Sequence, residues 1–379
     1  MTDSGTPAGA TDKPVNPRNR LGIDYAAEAA TFDATICPGG IIDGHAHVNG
    51  RRGAEIFRRV MDAYGVKKVY SQSQYAESAA VRDVLGDRVR FVAIPEYMAE
   101  DRARAHREGF LENIQKFHDE FGAKMVKFWR APRFRDYAPG EDNSDVIALD
   151  SEWVVRAAEL ATGLGMMLMT HVADPDTWFK TSYKDASRYG TKAEQYLPLE
   201  RMLDRFTQPW LIAHMAGWPE DLDFVDGLLE RHPNAHLDTS ATKWQVRELS
   251  KHPTSRVREF FDRWRGRVFF GTDVVTSDEH LSPTESDRFG SGLASSEEEA
   301  FELYAGRFWA LRTMFETDYR GESPIADPDL MMVEPERFDG TSAPALTGHG
   351  LSRETLVDLY AGGAERVMEA WYYGRYEAP

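Results

Sequence analysis

Disulfides are excluded at once, because the 379-residue chain holds one cysteine, Cys37. A lone thiol fits a reducing compartment, so a cytoplasmic location is expected. No apolar run reaches the length of ~20 residues that a membrane-spanning helix needs. Positive charge is in deficit. The 45 Lys+Arg face 62 Asp+Glu, a formal net charge of −17. Such a chain repels phosphate backbones, so no nucleic-acid partner is expected. The phosphate-cradling patterns G-x-G-x-x-G and G-x-x-x-x-G-K-[ST] are missing, and so is the nucleophile elbow G-x-S-x-G. There is no fixed-period repeat and no heptad array. The start, MTDSGTPAGATDKPVNPRNR, lacks the charged-then-apolar plan of a signal peptide and reads as a loose arm.

What is present is an alternation. Eight apolar runs of strand length lie at 41–48, 66–72, 89–97, 123–129, 166–172, 209–215, 234–240 and 267–273. Helical stripes separate most of them. Phe110, Ile114, Phe117 and Phe121 make one, and Leu222, Val225 and Leu229 another, which Pro233 ends. Strands that are apolar throughout and alternate with helices imply a parallel sheet covered on both faces. Eight units match the roughly 250 residues of a (β/α)8 TIM barrel. The expected plan is an α/β chain: a flexible arm and entry segment at 1–37, the barrel at 38–280 and a helical extension at 281–379. In the extension, Ser296 and Glu299 fit a capping box ahead of the stripe Phe301, Tyr304, Phe308, Leu311 and Phe315. A final helix is expected from about 353 to 371. Two helices cannot bury a core alone, so the extension should pack on the barrel.

Polar residues cluster where the strands stop. The first run ends in His45 and His47, the fourth in Lys127, the fifth in His171, the sixth in His214 and the eighth in Asp273. In a parallel barrel these ends meet at one face, where active sites form. Side chains alternate along a strand, so Asp43, His45 and His47 share a face. Two imidazoles so placed can bind one metal ion, and His171 and Asp273 would complete the site. Zinc suits these ligands; manganese or iron also fits. One such histidine alone is more often a satisfied polar residue than a ligand. The set in chain order is what argues for metal. His106, His118, His252 and His280 read as surface residues, and His236 as packed within its strand.

These residues resemble the amidohydrolase superfamily, in its amidohydrolase-related branch. That branch holds metal-dependent hydrolases, lactonases, hydratases and decarboxylases, including aminocarboxymuconate-semialdehyde decarboxylase-like enzymes. The resemblance runs through IIDGHAH, MVKFW, MTHVADPDTW, LIAHMAGWPEDL, HPNAHLDTSA and FFGTD, and returns in LSRETLVDLYAGGAERVM. It implies that His45, His47, His171 and Asp273 ligate metal and that Asp273 takes a proton from the water it activates. It implies that His214 binds a second metal in binuclear members, or in mononuclear ones polarises the substrate or shuttles a proton. Lys127 stands where binuclear members carry a bridging lysine, so a second metal stays open and one is favoured. The closing helix lacks the asparagine usual near Gly363.

A divalent cation makes a water nucleophile available near neutral pH, and Asp273 can accept its proton. Asp43 is a candidate supporting partner of His45. The loops after the strands carry Arg51, Arg52, Trp129, Arg130, Arg133, Arg135, Trp178 and Trp218. Arginines grip carboxylates through paired hydrogen bonds, so a small anionic substrate is expected. The alternative for the arginines is surface ion pairing. The expected activity is metal-dependent hydrolysis of an amide, ester or lactone. The alternatives are a metal-dependent decarboxylase of an aromatic or unsaturated carboxylate and, last, a ligand-binding barrel without catalysis. A homodimer is expected from frequency alone.

Overall fold

The computed structural model describes residues 15–138, 143–281 and 294–377. Residues 1–14 of the expected loose arm and residues 282–293, between the expected barrel and the helix of the extension, lie outside the described residues.

Eight parallel strand positions follow one another around a barrel. They are β1 (Ile41–His47), β2 (Val66–Ser71), β3 (Val89–Phe91), β4 (Met125–Trp129), β5 (Met167–His171), β6 (Trp210–Ile212), β7 (Ala235–Asp238) and β8 (Val268–Phe269). A two-residue β9 (Val274–Val275) prolongs the eighth position. The ladders run β3-β2-β1-β9 and β4-β5-β6-β7-β8. Two seams join them. Ala93 bridges to Val126 in parallel, with the Lys127 amide donating to the Ala93 carbonyl at 2.9 Å. At the other seam the Gly44 amide donates to the Phe270 carbonyl, and the Asp273 amide to the His45 carbonyl, each at 2.8 Å. The barrel is therefore closed and leaves no strand edge. Every apolar run of the sequence supplies one strand, shortened at its ends.

The strands are apolar throughout because both faces are buried. Val69, Val126, Leu168, Ile212 and Leu237 face the helices. Their neighbours Tyr70, Met125, Met167, Met169, Leu211 and Phe269 fill the barrel. This alternation has period two, so Lys127 and His171 point inward with Met125 and Met169. The register of β1 against β2 shifts twice, between Ile41 and Ile42 and between Asp43 and Ala46. Such irregularities re-aim side chains beside active sites.

The C-terminal stretch from Arg353 to Tyr372 is helical, with π-type turns in its middle. It seals the barrel's lower end. Ala361, Ala364, Val367 and Met368 join the inward cluster, and Leu359 accepts the Phe270 amide at 2.9 Å. Burying one such large side chain contributes about 1.5–3 kcal/mol. The helix Glu297–Glu316 packs against the helix Arg51–Ala63 and buries Tyr304, Phe308, Leu311 and Phe315. Its cap differs in detail from the expected box. Ser296 Oγ accepts from the Glu299 amide, but Glu299 reaches back to Ser295 at 2.8 Å.

Residues 15–37 are packed, which corrects the expectation of a flexible arm there. Asn19 holds the Ile23 carbonyl at 2.8 Å, Arg18 pairs with Glu299 at 2.7 Å, and Tyr25 is buried against Trp309. Among the described residues no helix is long and apolar enough to cross a membrane.

Candidate metal site and cleft

The C-terminal ends of the strands open into a cleft of about 910 Å³. β1 brings His45 and His47 to its floor, with ring centroids 5.6 Å apart. Both Nε2 atoms converge on one oxygen, Asp273 Oδ1, at 3.4 and 3.3 Å. The candidate ligand atoms of this trio lie within 4.8 Å of one another.

His45 is oriented from behind. Its Nδ1 lies 2.9 Å from Asp238 Oδ2 and 2.9 Å from Ser240 Oγ. An Nδ1–H donated to Asp238 leaves the Nε2 lone pair facing the cleft, the tautomer a metal ligand needs. That lone pair accepts from Lys127 Nζ at 2.9 Å. A cationic donor thus stands where a metal cation would be ligated. Asp238 and Ser240 also reach the sixth strand position. Asp238 Oδ1 accepts the His214 amide at 2.9 Å, and Ser240 Oγ meets His214 Nδ1 at 2.7 Å.

Charge states favour the same reading. Burial pushes the His45 and His214 pKa values down and carries His47 to about 4, so these rings are neutral at pH 7. Burial pushes the Asp273 carboxyl up, but His45, His47 and His214 outweigh it and hold it well below the usual carboxylate range. Burial opposes ionisation of Asp238 too, and His45 overcomes it. Burial lowers Lys127 to about 8. Neutral imidazoles beside ionised carboxylates are the donor set that a divalent cation requires.

The backbone is strained at these positions. His214 and Asp273 have φ of +61° and +57°, a region that non-glycine residues seldom occupy. Left-handed geometry continues through Met215 and Ala216 to Gly217. At Gly217 a Cβ would lie 2.1 Å from the Ala173 carbonyl oxygen, so only glycine fits the turn.

The other expected residues fall into two groups. His171 reaches the cleft and packs edge-on to His214, at 4.4 Å between centroids. Its Nε2 is held by Asp174 at 2.8 Å, so it does not join the converging trio. Trp129 and Arg133 line the cleft. Arg51 does not: it starts the helix after β1, is half exposed and pairs with Asp83 at 2.7 Å. Arg130 is buried over the Phe134 ring and donates to the Trp129 carbonyl at 2.6 Å. Trp178 donates its indole N–H to Asp329 at 2.9 Å, and Trp218 stacks on Tyr196. Asp43 supports the floor through backbone rather than through a ring. It accepts the His45 and Thr272 amides at 3.1 Å and the Thr272 hydroxyl at 2.6 Å, and burial raises its carboxyl to about 7.

Sequence reasoning missed Asp238, Ser240, Lys243, Arg307 and Gln72. Asp238 carried a signal: it too is polar and ends an apolar run. Lys243 and Arg307 stand on helices, where one cation looks like any other.

Several solved structures are similar to this chain at low identity. A 2,6-dihydroxybenzoate decarboxylase from Rhizobium is 14% identical over 72% of this chain and 99% of that one, with a TM-score of 0.40. A 5-carboxyvanillate decarboxylase from Novosphingobium aromaticivorans, solved with bound manganese, is 12% identical over 84% and 80%, TM-score 0.40. An amidohydrolase from Burkholderia multivorans is 13% identical over 87% and 99%, TM-score 0.41. No family model and no curated protein matches the chain.

Proposed function

We propose that the chain is a metal-dependent hydrolase acting on an amide, ester or lactone of a small anionic substrate. The observation that carries this reading is the convergence of His45 Nε2, His47 Nε2 and Asp273 Oδ1, with the tautomer of His45 fixed by Asp238. One divalent ion, zinc first by ligand chemistry, fits that donor set. When bound it supplies Lewis acidity and a nucleophile at neutral pH.

The residues divide the remaining work. Ionised Asp273 accepts the proton of the attacking water at its carboxylate. His214 is neutral, with Nδ1 held by Ser240, so its other nitrogen faces the cleft to polarise the carbonyl or hand a proton to the leaving group. His171, whose Nε2 is held by Asp174, would be the further histidine available to a bound cation. A cation held by His45 Nε2 would take the place of the Lys127 ammonium there. Tyr97, Trp129 and Tyr137 present flat apolar surface to the substrate body.

The test is a product assay with zinc-loaded protein on amides, esters and lactones of aromatic and unsaturated carboxylic acids. Acid release that is lost in Asp273→Asn supports hydrolysis. Evolution of CO₂ from the parent carboxylates without acid release would replace it with decarboxylation.

A further inference from the structure

Among the described residues, two cations on the cleft wall have neither a carboxylate nor a ring partner, whereas Lys127, on the same wall, bonds His45. Lys243 follows β7, in the helix Thr242–Leu249, and Arg307 comes from the helix Glu297–Glu316 of the C-terminal extension. Several buried cations elsewhere in the fold are neutralised. Arg247 pairs with Asp327 and Glu248, Arg312 with Glu316, and Lys192 with Asp176. Among the described residues neither Lys243 nor Arg307 makes an ion pair, and Arg307 spends one of its five N–H donors on the Leu303 carbonyl at 2.6 Å. The remaining cleft arginines have aromatic partners: Arg133 lies over Trp178 and Arg102 over Tyr137.

The two charges also oppose each other. Burial and then Arg307 lower Lys243 to about 8, and burial lowers Arg307. Asp327 and Asp329 are the acids whose charge raises the Lys243 pKa, but they are engaged elsewhere. Asp327 binds Arg247, and Asp329 Oδ2 accepts from Trp178, Trp244 and Arg247. Arg307 lines the same cleft as Asp273. Gln72, 1% exposed, lines the same cleft with both amide atoms unpartnered. Buried polar groups without partners are costly, and two adjacent cations more so. A cleft that keeps all three is built for a guest that satisfies them.

We infer that Lys243 and Arg307 together hold a carboxylate of the substrate, and that the extension helix Glu297–Glu316 is part of the binding site. This rests on the reading of the cleft as the substrate site. A guanidinium fork beside an ammonium matches a carboxylate, with Gln72 free to bind a neutral polar group. The flat body then faces Tyr97, Trp129 and Tyr137. Arg51 and Arg130 have no part in it.

The test uses the full chain, benzoate and its neutral isostere benzamide, read by tryptophan fluorescence, since Trp129 and Trp244 line the cleft. Titrations run with chelator and again with added zinc. Wild type should bind benzoate at least about tenfold tighter than benzamide in both conditions, as a charge-assisted pair implies. Lys243→Gln and Arg307→Gln should each erase that preference while leaving benzamide binding unchanged. Arg307 is half-buried in a long helix, so its variant is also checked by thermal melting, and Lys243→Gln decides the matter if Arg307→Gln unfolds. Equal binding of both ligands by wild type, or a preference that survives in Lys243→Gln, overturns the inference. Failure to bind zinc sinks the proposed function instead, and leaves the benzoate preference to be judged on its own.

Discussion

The two ends of the barrel are made by the same strands and have opposite chemistry. At the lower end Met125, Met167, Leu211 and Phe269 meet the helical plug of Ala361, Ala364 and Met368, and the packing is apolar. At the upper end, two to four residues along the same strands, stand Lys127, His171 and His214, beside the ionised Asp273 and backbone at positive φ. Stability is gathered at one end, and cost is concentrated at the other. A fold so divided can carry a strained, polar site because the apolar end over-determines the strand positions.

Four variants would break or sharpen that division. The largest effect is expected from His45→Gln at the upper end. Affinity for zinc should fall by more than about a hundredfold, since a ligand is lost and not merely a supporting group. Its melting temperature should match that of metal-stripped wild type; a global loss of structure would blur the division. At the lower end Met368→Ala should remove about 2–5 kcal/mol of stability by leaving a cavity. Denaturant melts would measure it, and zinc content should stay at the wild-type value. Asp238→Asn keeps the shape but weakens the acceptor behind His45, so zinc affinity should drop by about 10- to 100-fold by competition titration.

The smallest effect concerns pH. His106 is buried among Tyr97, Phe134 and Tyr137, with neither ring nitrogen bonded among the described residues. Burial, then Arg130, lowers its pKa from 6.5 to about 3. Between those values the unfolded state binds the proton and the folded state does not, so stability falls as pH drops through that window. His106→Phe removes the titration and keeps the ring. The loss of melting temperature from pH 7 to pH 4 should shrink by about 1–3 °C. An unchanged pH slope would place the acid sensitivity elsewhere.

The eight strands were legible because each is an apolar run, and five of their ends because a polar residue was read there. His45, His47 and Asp273 come together as that pattern implies. His106 and His280, read as surface residues, are buried, because loop and short-helix residues can fold back under aromatic neighbours. Asp238 and Ser240 were illegible as partners of His45. Their contacts span 193 and 195 residues and leave no spacing in the chain. Arg51 misleads for the opposite reason. It is close in sequence to the histidines, yet the first turn of its helix aims it outward to Asp83. Arg307 lies 34 residues past Asp273 and comes back to the cleft only because the extension helix packs on the barrel. Proximity along the chain, in both cases, was a poor guide to proximity in the cleft.

The central claim is that the trio at the upper end holds a divalent cation. Elemental analysis of the gently purified full chain tests it most directly. The account predicts about one divalent ion per chain, lost in His45→Gln and retained in Met368→Ala. Less than about 0.2 ion per chain, unchanged after incubation with zinc, would contradict it.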